Sequence, residues 1–349
     1  MNMLAAVLYG PEDVRLVEVA VPRPEPGEVR IQVRAATTCG TDVKVWRRGG
    51  HPNMIRPPAV FGHEFAGVID ALGSGVQGWA VGDPVVAANS APCGTCFFCE
   101  RSLFSQCEDL LYMNGGYAQY AIVPSRIVQR NLLRVPASLP LEHAALVEPL
   151  ACVVHGIRDC DIQPGEEVVI IGDGPIGLFF TCLAVHKSAM VTVIGMNGER
   201  LKTAERLGAA RLLKGRADDP HVQSEARSCA HDGRGFDLVV ECVGTPETWA
   251  AAVTLARKRG RVNLFGGCAA GTEVSIPTRR IHYDELTILG TYHHDPSCVR
   301  EALQLLSEGV VPAEEFITGR APLTKLPEVI RGLANGLGTI KLAIMPVER

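Results

Sequence analysis

The stretch Glu167-Val-Val-Ile-Ile-Gly-Asp-Gly-Pro-Ile-Gly177 runs from an apolar, strand-like segment into a glycine-rich turn, and a helical pattern follows over Ile176–Lys187. In a Gly-x-Gly-x-x-Gly turn the first glycine permits a tight turn, the second lets the backbone approach a pyrophosphate, and the third lets helix and strand pack closely. A purely structural glycine turn is the alternative. Because strand, turn and helix occur in this order, we predict a dinucleotide site with the pyrophosphate at the helix N terminus. Its predicted residues are Gly172, Gly174, Pro175, Ile176 and Gly177.

The adenosine end of this predicted site lacks the expected acidic residue. The next strand, Met190–Ile194, is followed by Gly195, at the position where a carboxylate commonly binds the ribose of NAD. A missing carboxylate removes repulsion against a 2′-phosphate, and Arg200 lies close enough along the chain to attract one. We therefore predict that Gly195, Asn197 and Arg200 contact the cofactor and favour NADP, or the use of both NAD and NADP. Alternatively, Arg200 faces solvent or packs over the adenine.

The pattern of predicted secondary structure differs between the two parts of the chain. Up to about residue 150 it consists of short strand-like runs broken by glycine and proline, such as Arg30–Ala35, Phe65–Ala71 and Pro84–Ala88. Beyond that point apolar strands alternate with helical patterns, which indicates a parallel sheet covered by helices. The predicted strands there are Glu167–Ile171, Met190–Ile194, Phe236–Val240, Arg261–Phe265 and Leu286–Gly290, and the predicted helices are Ile176–Lys187, Glu199–Leu207, Glu247–Arg259, Cys298–Glu308 and Leu326–Asn335.

Length and composition limit the possible functions. The chain has 349 residues, which at roughly 150 residues per domain predicts two domains. The net charge of −4 gives no electrostatic reason to expect a nucleic-acid or membrane partner. No signal-peptide pattern or long apolar stretch is visible. We therefore expect a cytoplasmic protein, in which clustered thiols bind metal more often than they form disulfides.

Four of the 12 cysteines fall within fifteen residues, and their spacing is C-x2-C-x2-C-x7-C. Four thiolates so close together can surround one tetrahedral ion. Zinc fits this set better than an iron–sulfur cluster, whose common motifs have other spacings. A site with four protein ligands leaves no open position, so we predict a structural zinc. Its ligands would be Cys93, Cys96, Cys99 and Cys107.

A second group of residues has no functional meaning when each residue is considered alone. Cys39 could be a small buried residue, His63 a core histidine, and Glu148 a helix cap. Together with the four-cysteine stretch and the glycine loop, in this order, the chain resembles the zinc-dependent medium-chain dehydrogenase/reductases. The resemblance covers essentially the whole chain and is greatest to the sorbitol (polyol) and threonine dehydrogenase branch.

The resemblance implies an α/β protein with two domains. One is a GroES-like, β-rich catalytic domain over residues 1–150, completed by residues 292–349. The other is a Rossmann domain over residues 151–291, with a doubly wound parallel sheet.

The resemblance also implies a second, catalytic zinc. Cys39 and His63 would bind it, with Glu64 or Glu148 as the carboxylate ligand. Such a set leaves a position for a substrate hydroxyl, whose acidity the metal increases. Thr41 matches the hydroxyl that takes the alcohol proton. Asp42 matches the carboxylate that orients the zinc-binding histidine.

Substrate contacts are implied at four further residues. Lys44 stands where the family often has a histidine, and it could contact cofactor or an anionic substrate group. Trp46 matches an aromatic residue that lines the pocket in relatives, or is simply packing. His293 and His294 follow the last Rossmann-like strand and could contact substrate hydroxyls, or form a polar surface turn.

We therefore expect an oxidoreductase that interconverts a secondary alcohol and its ketone, with two zinc ions per chain and NAD or NADP as cofactor. A polyol, cyclitol or sugar derivative is the expected substrate. The alternatives are oxidation of an amino alcohol, as in threonine 3-dehydrogenases, and a non-catalytic NADPH-binding zinc protein. By resemblance, the protein would be a homodimer or homotetramer.

Overall fold

The computed structural model of the protein describes residues 1–346, so the last three residues of the predicted segment 292–349 lie outside the described residues. The chain divides into two compact units. Unit 1 is Met1–Ala151 together with the chain from His294 onward, and unit 2 is Cys152–His293. None of the helices in residues 1–346 combines the length and apolarity that a membrane crossing requires.

Strands predominate in unit 1, and strands alternate with helices in unit 2. The strands are β1 (Asn2–Gly10), β2 (Asp13–Ala20), β3 (Val29–Thr37), β4 (Ala59–Val60), β5 (Phe65–Leu72), β6 (Pro84–Ala87), β7 (Ser90–Ala91), β8 (Leu111–Tyr112), β9 (Tyr120–Val123), β10 (Leu132–Arg134), β11 (Glu167–Ile171), β12 (Met190–Gly195), β13 (Arg211–Lys214), β14 (Phe236–Glu241), β15 (Ala256–Leu264), β16 (Thr287–Leu289), β17 (Ile317–Pro322) and β18 (Lys341–Met345). The α-helices are α1 (Gly40–Arg48), α2 (Ser125–Asn131), α3 (Leu141–Ala144), α4 (Val147–Cys160), α5 (Pro175–His186), α6 (Gly198–Arg206), α7 (Pro220–Ser228), α8 (Pro246–Leu255), α9 (Thr278–His282), α10 (Pro296–Ser307) and α11 (Leu326–Ala334).

Unit 1 is built on a seven-stranded sheet in the order β10-β6-β5-β3-β18-β17, with β9 also paired to β3. The strand predicted at Arg30–Ala35 is part of β3, in which Val29, Ile31 and Val33 are fully buried while Arg30 and Gln32 between them are half-buried. The apolar side chains enter the core of this unit because successive residues of a strand point to opposite faces.

The C-terminal strand β18 is part of the same sheet. It pairs antiparallel with β3, with Ala343 opposite Thr37 and Ile344 opposite Ala36. This pairing places Lys341, at the start of β18, beside the chain that leaves β3 toward α1. A residue from the end of the sequence thereby reaches the predicted metal site.

Unit 2 holds a six-stranded parallel sheet in the order β13-β12-β11-β14-β15-β16. This is the doubly wound order, which reverses direction between β11 and β14 and binds dinucleotides at that point. The Rossmann prediction is confirmed. All five residues of β11 are buried, as expected for a central parallel strand with both faces covered.

One predicted helix is too long. The pattern predicted a helix over Glu247–Arg259, but α8 ends at Leu255 and the chain enters β15 at Ala256. Ala256 pairs with Phe236 of β14, and Arg257 Nε donates a 2.6 Å hydrogen bond to Asp237 Oδ1. These contacts to the neighbouring strand replace the last helical turn, which is why local pattern alone misplaced the boundary.

Candidate active site

The glycine loop of unit 2 joins β11 to α5 and has the shape that a pyrophosphate requires. Gly172 has a φ of 116°, which favours glycine. A Cβ atom on Gly177 would lie 1.9 Å from the carbonyl oxygen of Gly172, so the turn closes only around glycine. Gly174 is the N-cap of α5, and a Cβ atom there would meet nothing within 4 Å. The helix N terminus, with Pro175 and Ile176 in its first turn, therefore fits a dinucleotide phosphate.

The strand end at Gly195 has no acid of its own, as the sequence shows, but a carboxylate from the glycine loop lies beside it. Asp173 of the glycine loop fills the space beside Gly195, and its Oδ2 accepts a 2.6 Å hydrogen bond from the Asn197 backbone N–H. Asn197 is also the N-cap of α6, where its Oδ1 accepts from the N–H groups of Glu199 at 3.0 Å and Arg200 at 3.2 Å. The strand-end position alone does not predict Asp173, because this acid lies in the glycine loop.

The four clustered cysteines of unit 1 face one another. Their Sγ atoms all lie within 4.8 Å of one another, and the Cys93–Cys99 and Cys96–Cys107 separations are each 3.9 Å. Sulfur ligands about 2.3 Å from a tetrahedral zinc are about 3.8 Å apart, so the spacing fits that ion. Hydrogen bonds from Thr95 lower the pKa of Cys93 to about 6, whereas burial raises the pKa of Cys107 to about 12, so the fit to zinc rests on the sulfur spacing.

Three predicted catalytic donors also converge in unit 1. Cys39 is the N-cap of α1, and its Sγ accepts a 3.4 Å hydrogen bond from the Thr41 N–H in the first turn. His63 and Glu64 precede β5 and are buried. Donor atoms of Cys39, His63 and Glu64 lie within 4.8 Å of one another. One thiolate, one imidazole and one carboxylate suit a catalytic zinc that keeps a fourth position open.

Asp42 connects these residues through hydrogen bonds to one carboxylate oxygen and lies close to His63 with the other. Oδ2 accepts hydrogen bonds from the Cys39 N–H at 2.9 Å and the Tyr117 hydroxyl at 2.6 Å, and Oδ1 lies 3.1 Å from His63 Nδ1. Burial lowers the pKa of His63, but the Asp42 carboxylate outweighs burial and raises that pKa well above its usual range. The contact with Asp42 occupies Nδ1 of His63 and leaves Nε2 for a metal ion, the arrangement that is usual for metal-binding histidines.

Glu64 forms an ion pair with a residue from the opposite end of the chain. Lys341 Nζ donates to both carboxylate oxygens at 2.8 and 2.6 Å, and to the Thr38 carbonyl oxygen at 2.9 Å. The Thr37 hydroxyl also donates to Glu64 Oε2. Glu64 and Lys341 are 0% and 1% exposed, so each is the other's counter-ion inside the protein.

Glu148, the second predicted carboxylate, lies in the first turn of α4. Its Oε1 is 4.0 Å from His294 Nε2, which in turn lies 3.3 Å from Asn89 Oδ1. The pKa of Glu148 is raised to about 7, chiefly by burial; His63 lowers it and Glu64 raises it. The charges of His63 and Glu64 therefore affect the pKa of Glu148, although Glu148 is not one of the three converging donors.

The predicted substrate residues fall in different environments. Lys44 is exposed on α1. Trp46 is 7% exposed and part of the hydrophobic core of unit 1, as its packing interpretation requires. His294 is buried beside Glu148 in unit 1. In unit 2, His293 has a φ of 62°, and its carbonyl oxygen lies 3.0 Å from His155 Nδ1. Their roles toward substrate stay predictions.

Comparison with known proteins now adds to this geometry. Residues 25–137 match the family model "Alcohol dehydrogenase GroES-like domain", and residues 175–308 match "Zinc-binding dehydrogenase". Erythritol/L-threitol dehydrogenase of Mycolicibacterium smegmatis is 32% identical over 99% of this chain and 98% of its own. The chain belongs to the zinc-binding alcohol dehydrogenase family. The GroES-like fold predicted for the first domain is thereby confirmed.

Two further relatives of this alcohol dehydrogenase cover its whole length. Sorbitol dehydrogenase of Halalkalibacterium halodurans is 30% identical over 100% of both chains. A crystal structure from Sinorhizobium meliloti 1021, described as a zinc-binding dehydrogenase bound to NADP, has a TM-score of 0.90 and 30% identity, and covers 99% of this chain and 100% of that one. As a member of this family, the protein is an NAD(P)-dependent oxidoreductase that uses zinc.

Three residues of the two candidate sites, the metal-donor group of unit 1 and the glycine loop of unit 2, could not be found by motif. Tyr117 and Lys341 reach Asp42 and Glu64 from positions 75 and 277 residues away along the chain. The one available signal was a lysine at the start of an otherwise apolar strand. Asp173 lies within the glycine motif, but as the variable residue between two glycines, where no acid is expected.

Proposed function

We propose that this enzyme oxidises a secondary alcohol of a polyol, cyclitol or sugar derivative to the ketone, and catalyses the reverse reduction, with NAD(P) as the hydride carrier. The observation that carries the proposal is the convergence of Cys39, His63 and Glu64 donors within 4.8 Å of one another. The two curated relatives, a dehydrogenase of erythritol or L-threitol and one of sorbitol, support the polyol class.

Two zinc ions per chain are part of this proposal. The four thiols of Cys93, Cys96, Cys99 and Cys107 would hold one of them and leave no position for substrate, so this ion stabilises the loop. The second ion would be held by Cys39, His63 and Glu64, which we call the Cys39 group. Buried carboxylates outnumber buried lysines around this group. Asp42, Glu64 and Glu148 are all at most 6% exposed, and Lys341 is the one lysine of the described chain buried beside them.

The residues around the second ion have separate tasks. Bound zinc would make an alcohol hydroxyl more acidic. The nicotinamide could then accept hydride from the carbon that carries this hydroxyl. Thr41, in the first turn of α1, would receive the hydroxyl proton. Asp42 holds His63 in one orientation through the 3.1 Å contact to Nδ1. Burial of this group keeps competing water away from the reacting atoms.

The donor geometry favours Glu64 over Glu148 as the carboxylate ligand. Glu64 lies within 4.8 Å of Cys39 and His63, and Lys341 keeps its carboxylate in place. Glu148 remains near enough to influence the charge of the group and would exchange with Glu64 or hold a proton during turnover. We would measure the zinc content and zinc affinity of Glu64→Gln and of Glu148→Gln. The variant with the larger loss of zinc affinity identifies the carboxylate ligand.

The proposed activity is tested by offering polyols, cyclitols, simple secondary alcohols and L-threonine with NAD and with NADP, and following the absorbance of the reduced nicotinamide. We expect turnover with a polyol or a related secondary alcohol. Turnover with L-threonine alone would support the amino-alcohol alternative. Cys39→Ser should lower the zinc content from two ions to one and abolish turnover, while NADH binding persists. Binding of NADH without turnover of any alcohol would support the non-catalytic alternative.

The preference for NADP predicted from Gly195 and Arg200 is tested by the same screen. We also propose a homodimer or homotetramer, the states that the family resemblance implies, and light scattering would distinguish them from a monomer. None of the twelve cysteines, all within the described residues, forms a disulfide. This thiol-rich state suits a reducing compartment, and we propose the cytoplasm.

A further inference from the structure

The adenosine end of the dinucleotide site holds an acidic group in an unusual place. In many Rossmann domains the acid that binds the ribose is the side chain at the end of the second strand. Here that strand is β12, and it ends at Gly195. A Cβ atom at Gly195 would lie 2.6 Å from both Cβ and Oδ2 of Asp173 and 2.7 Å from its Cγ. The Asp173 carboxylate thus occupies the position that a side chain at residue 195 would take.

This carboxylate is held firmly. Asp173 is 8% exposed, and its Oδ2 accepts the 2.6 Å hydrogen bond from the Asn197 N–H. The glycine loop is itself fastened to β12, because the Gly172 N–H donates a 2.8 Å hydrogen bond to the Ile194 carbonyl oxygen. Loop and strand end therefore form one rigid corner, and a fixed charge there acts more strongly than one on a mobile side chain.

The neighbouring helix offers a 2′-phosphate fewer backbone donors than a helix N terminus usually does. Two N–H groups in the first turn of α6, those of Glu199 and Arg200, already donate to the Asn197 side chain. The N–H of Asn197 donates to Asp173. The group that lies directly against the end of β12 is the Asp173 carboxylate, which accepts hydrogen bonds from ribose hydroxyls and repels a phosphate.

We propose that Asp173 replaces the missing strand-end acid: it binds the adenosine ribose of the cofactor and selects NAD(H) against NADP(H). The inference rests on the proposed nicotinamide-dependent activity, and it opposes the NADP preference predicted from the sequence. Gly195 is then required not to admit a 2′-phosphate but to leave room for the Asp173 side chain.

The charge of Asp173 is tested with Asp173→Asn, which keeps the size of the side chain and an oxygen that can accept from Asn197. The dissociation constants of NADH and NADPH are measured by nicotinamide fluorescence, without substrate. Removing a like charge near the 2′-phosphate should improve NADPH binding relative to NADH on the order of tenfold. Equal changes for both cofactors, or none, would overturn the proposal. If wild type binds neither cofactor, the proposed function fails instead.

Thermal unfolding of the apoenzyme tests whether the Asp173 side chain fills the space beside Gly195. Gly195→Ala adds one Cβ atom that meets Asp173, so it should lower the Tm in wild type but much less in an Asp173→Gly background. Gly198→Ala is the matched control in the same segment, because a Cβ atom there meets nothing within 4 Å, and it should leave the Tm nearly unchanged. Equal effects of Gly195→Ala in both backgrounds would contradict the geometry.

The same background allows the acid to be moved. In Asp173→Gly, the further change Gly195→Asp returns a carboxylate to the strand end. This double variant should bind NADH in preference to NADPH, as we expect of wild type, whereas Asp173→Gly alone should lose the preference. A double variant without preference for NADH would show that the carboxylate position does not decide cofactor choice.

Discussion

Lys341 and Glu64 form a buried ion pair that joins the last strand of unit 1 to the candidate zinc donors Cys39, His63 and Glu64. Lys341 Nζ lies 2.8 and 2.6 Å from the two Glu64 oxygens, and 277 residues separate them along the chain. Breaking a buried pair leaves one charge without compensation, which is far more destabilising than loss of a surface pair. The pair therefore connects the C-terminal strand directly to the candidate metal site.

Lys341→Met should destabilise the zinc-free enzyme by about 3–5 kcal/mol, because the Glu64 carboxylate loses its buried counter-ion. Zinc compensates that charge, so the zinc-loaded enzyme should lose less. Chemical unfolding with and without a chelator measures both values. Lys325→Met is the control, since the exposed Lys325–Glu328 pair contributes at most about 1 kcal/mol. Equal stability of Lys341→Met and wild type without zinc would contradict this role.

Asp42→Asn should weaken zinc binding at the Cys39 group and lower kcat by about 10–100-fold, the usual effect of removing the partner of a metal-binding histidine. The amide oxygen can still accept from Cys39 and Tyr117, so the fold should persist. Competition with a chromophoric chelator measures the affinity. Tyr117→Phe, which leaves the carboxylate beside His63, should cause a smaller loss. A larger loss in Tyr117→Phe would mean that the hydroxyl matters more than the charge.

Cys96→Ser should remove one zinc ion per chain and lower the Tm, because the four-thiol group would lose a ligand. Below the new Tm the enzyme should still turn over, since Cys39 and His63 are unchanged. Elemental analysis and a thermal scan check both points. Cys229→Ser changes a thiol outside both groups and should keep two zinc ions. Complete loss of turnover in folded Cys96→Ser would assign the four-cysteine site a catalytic role.

The buried thiol of Cys160 should make the free energy of unfolding decrease as the pH rises into the alkaline range. Burial raises its pKa from 9.0 to about 12, whereas the unfolded thiol titrates near the ordinary value. The folded state thus keeps a proton that the unfolded state loses. This contribution to stability is complete below about pH 9 and is lost as the pH rises toward about 12. Cys160→Ala should flatten that decline, as unfolding at several pH values would show. An unchanged slope would exclude Cys160 as its source.

Local sequence patterns predicted the elements that depend on neighbouring residues. The glycine turn between β11 and α5 was predictable because three glycines at fixed spacing determine the backbone path. The four cysteines were predictable because a short loop keeps their thiols close. The helix predicted to reach Arg259 failed for the opposite reason: Arg257 is drawn into β15 by Asp237, a residue of another strand.

The sequence by itself determined the family, the parallel sheet and the glycine loop, and it predicted both groups of candidate metal donors, because residue type and short spacing limit their chemistry. The tertiary structure alone decided three matters. It paired Lys341 with Glu64 through the register of β18 on β3, it placed Trp46 in the core, and it put the Asp173 carboxylate into the space of Gly195. Each depends on contacts between segments that lie apart in the sequence, and no local pattern encodes which segments meet.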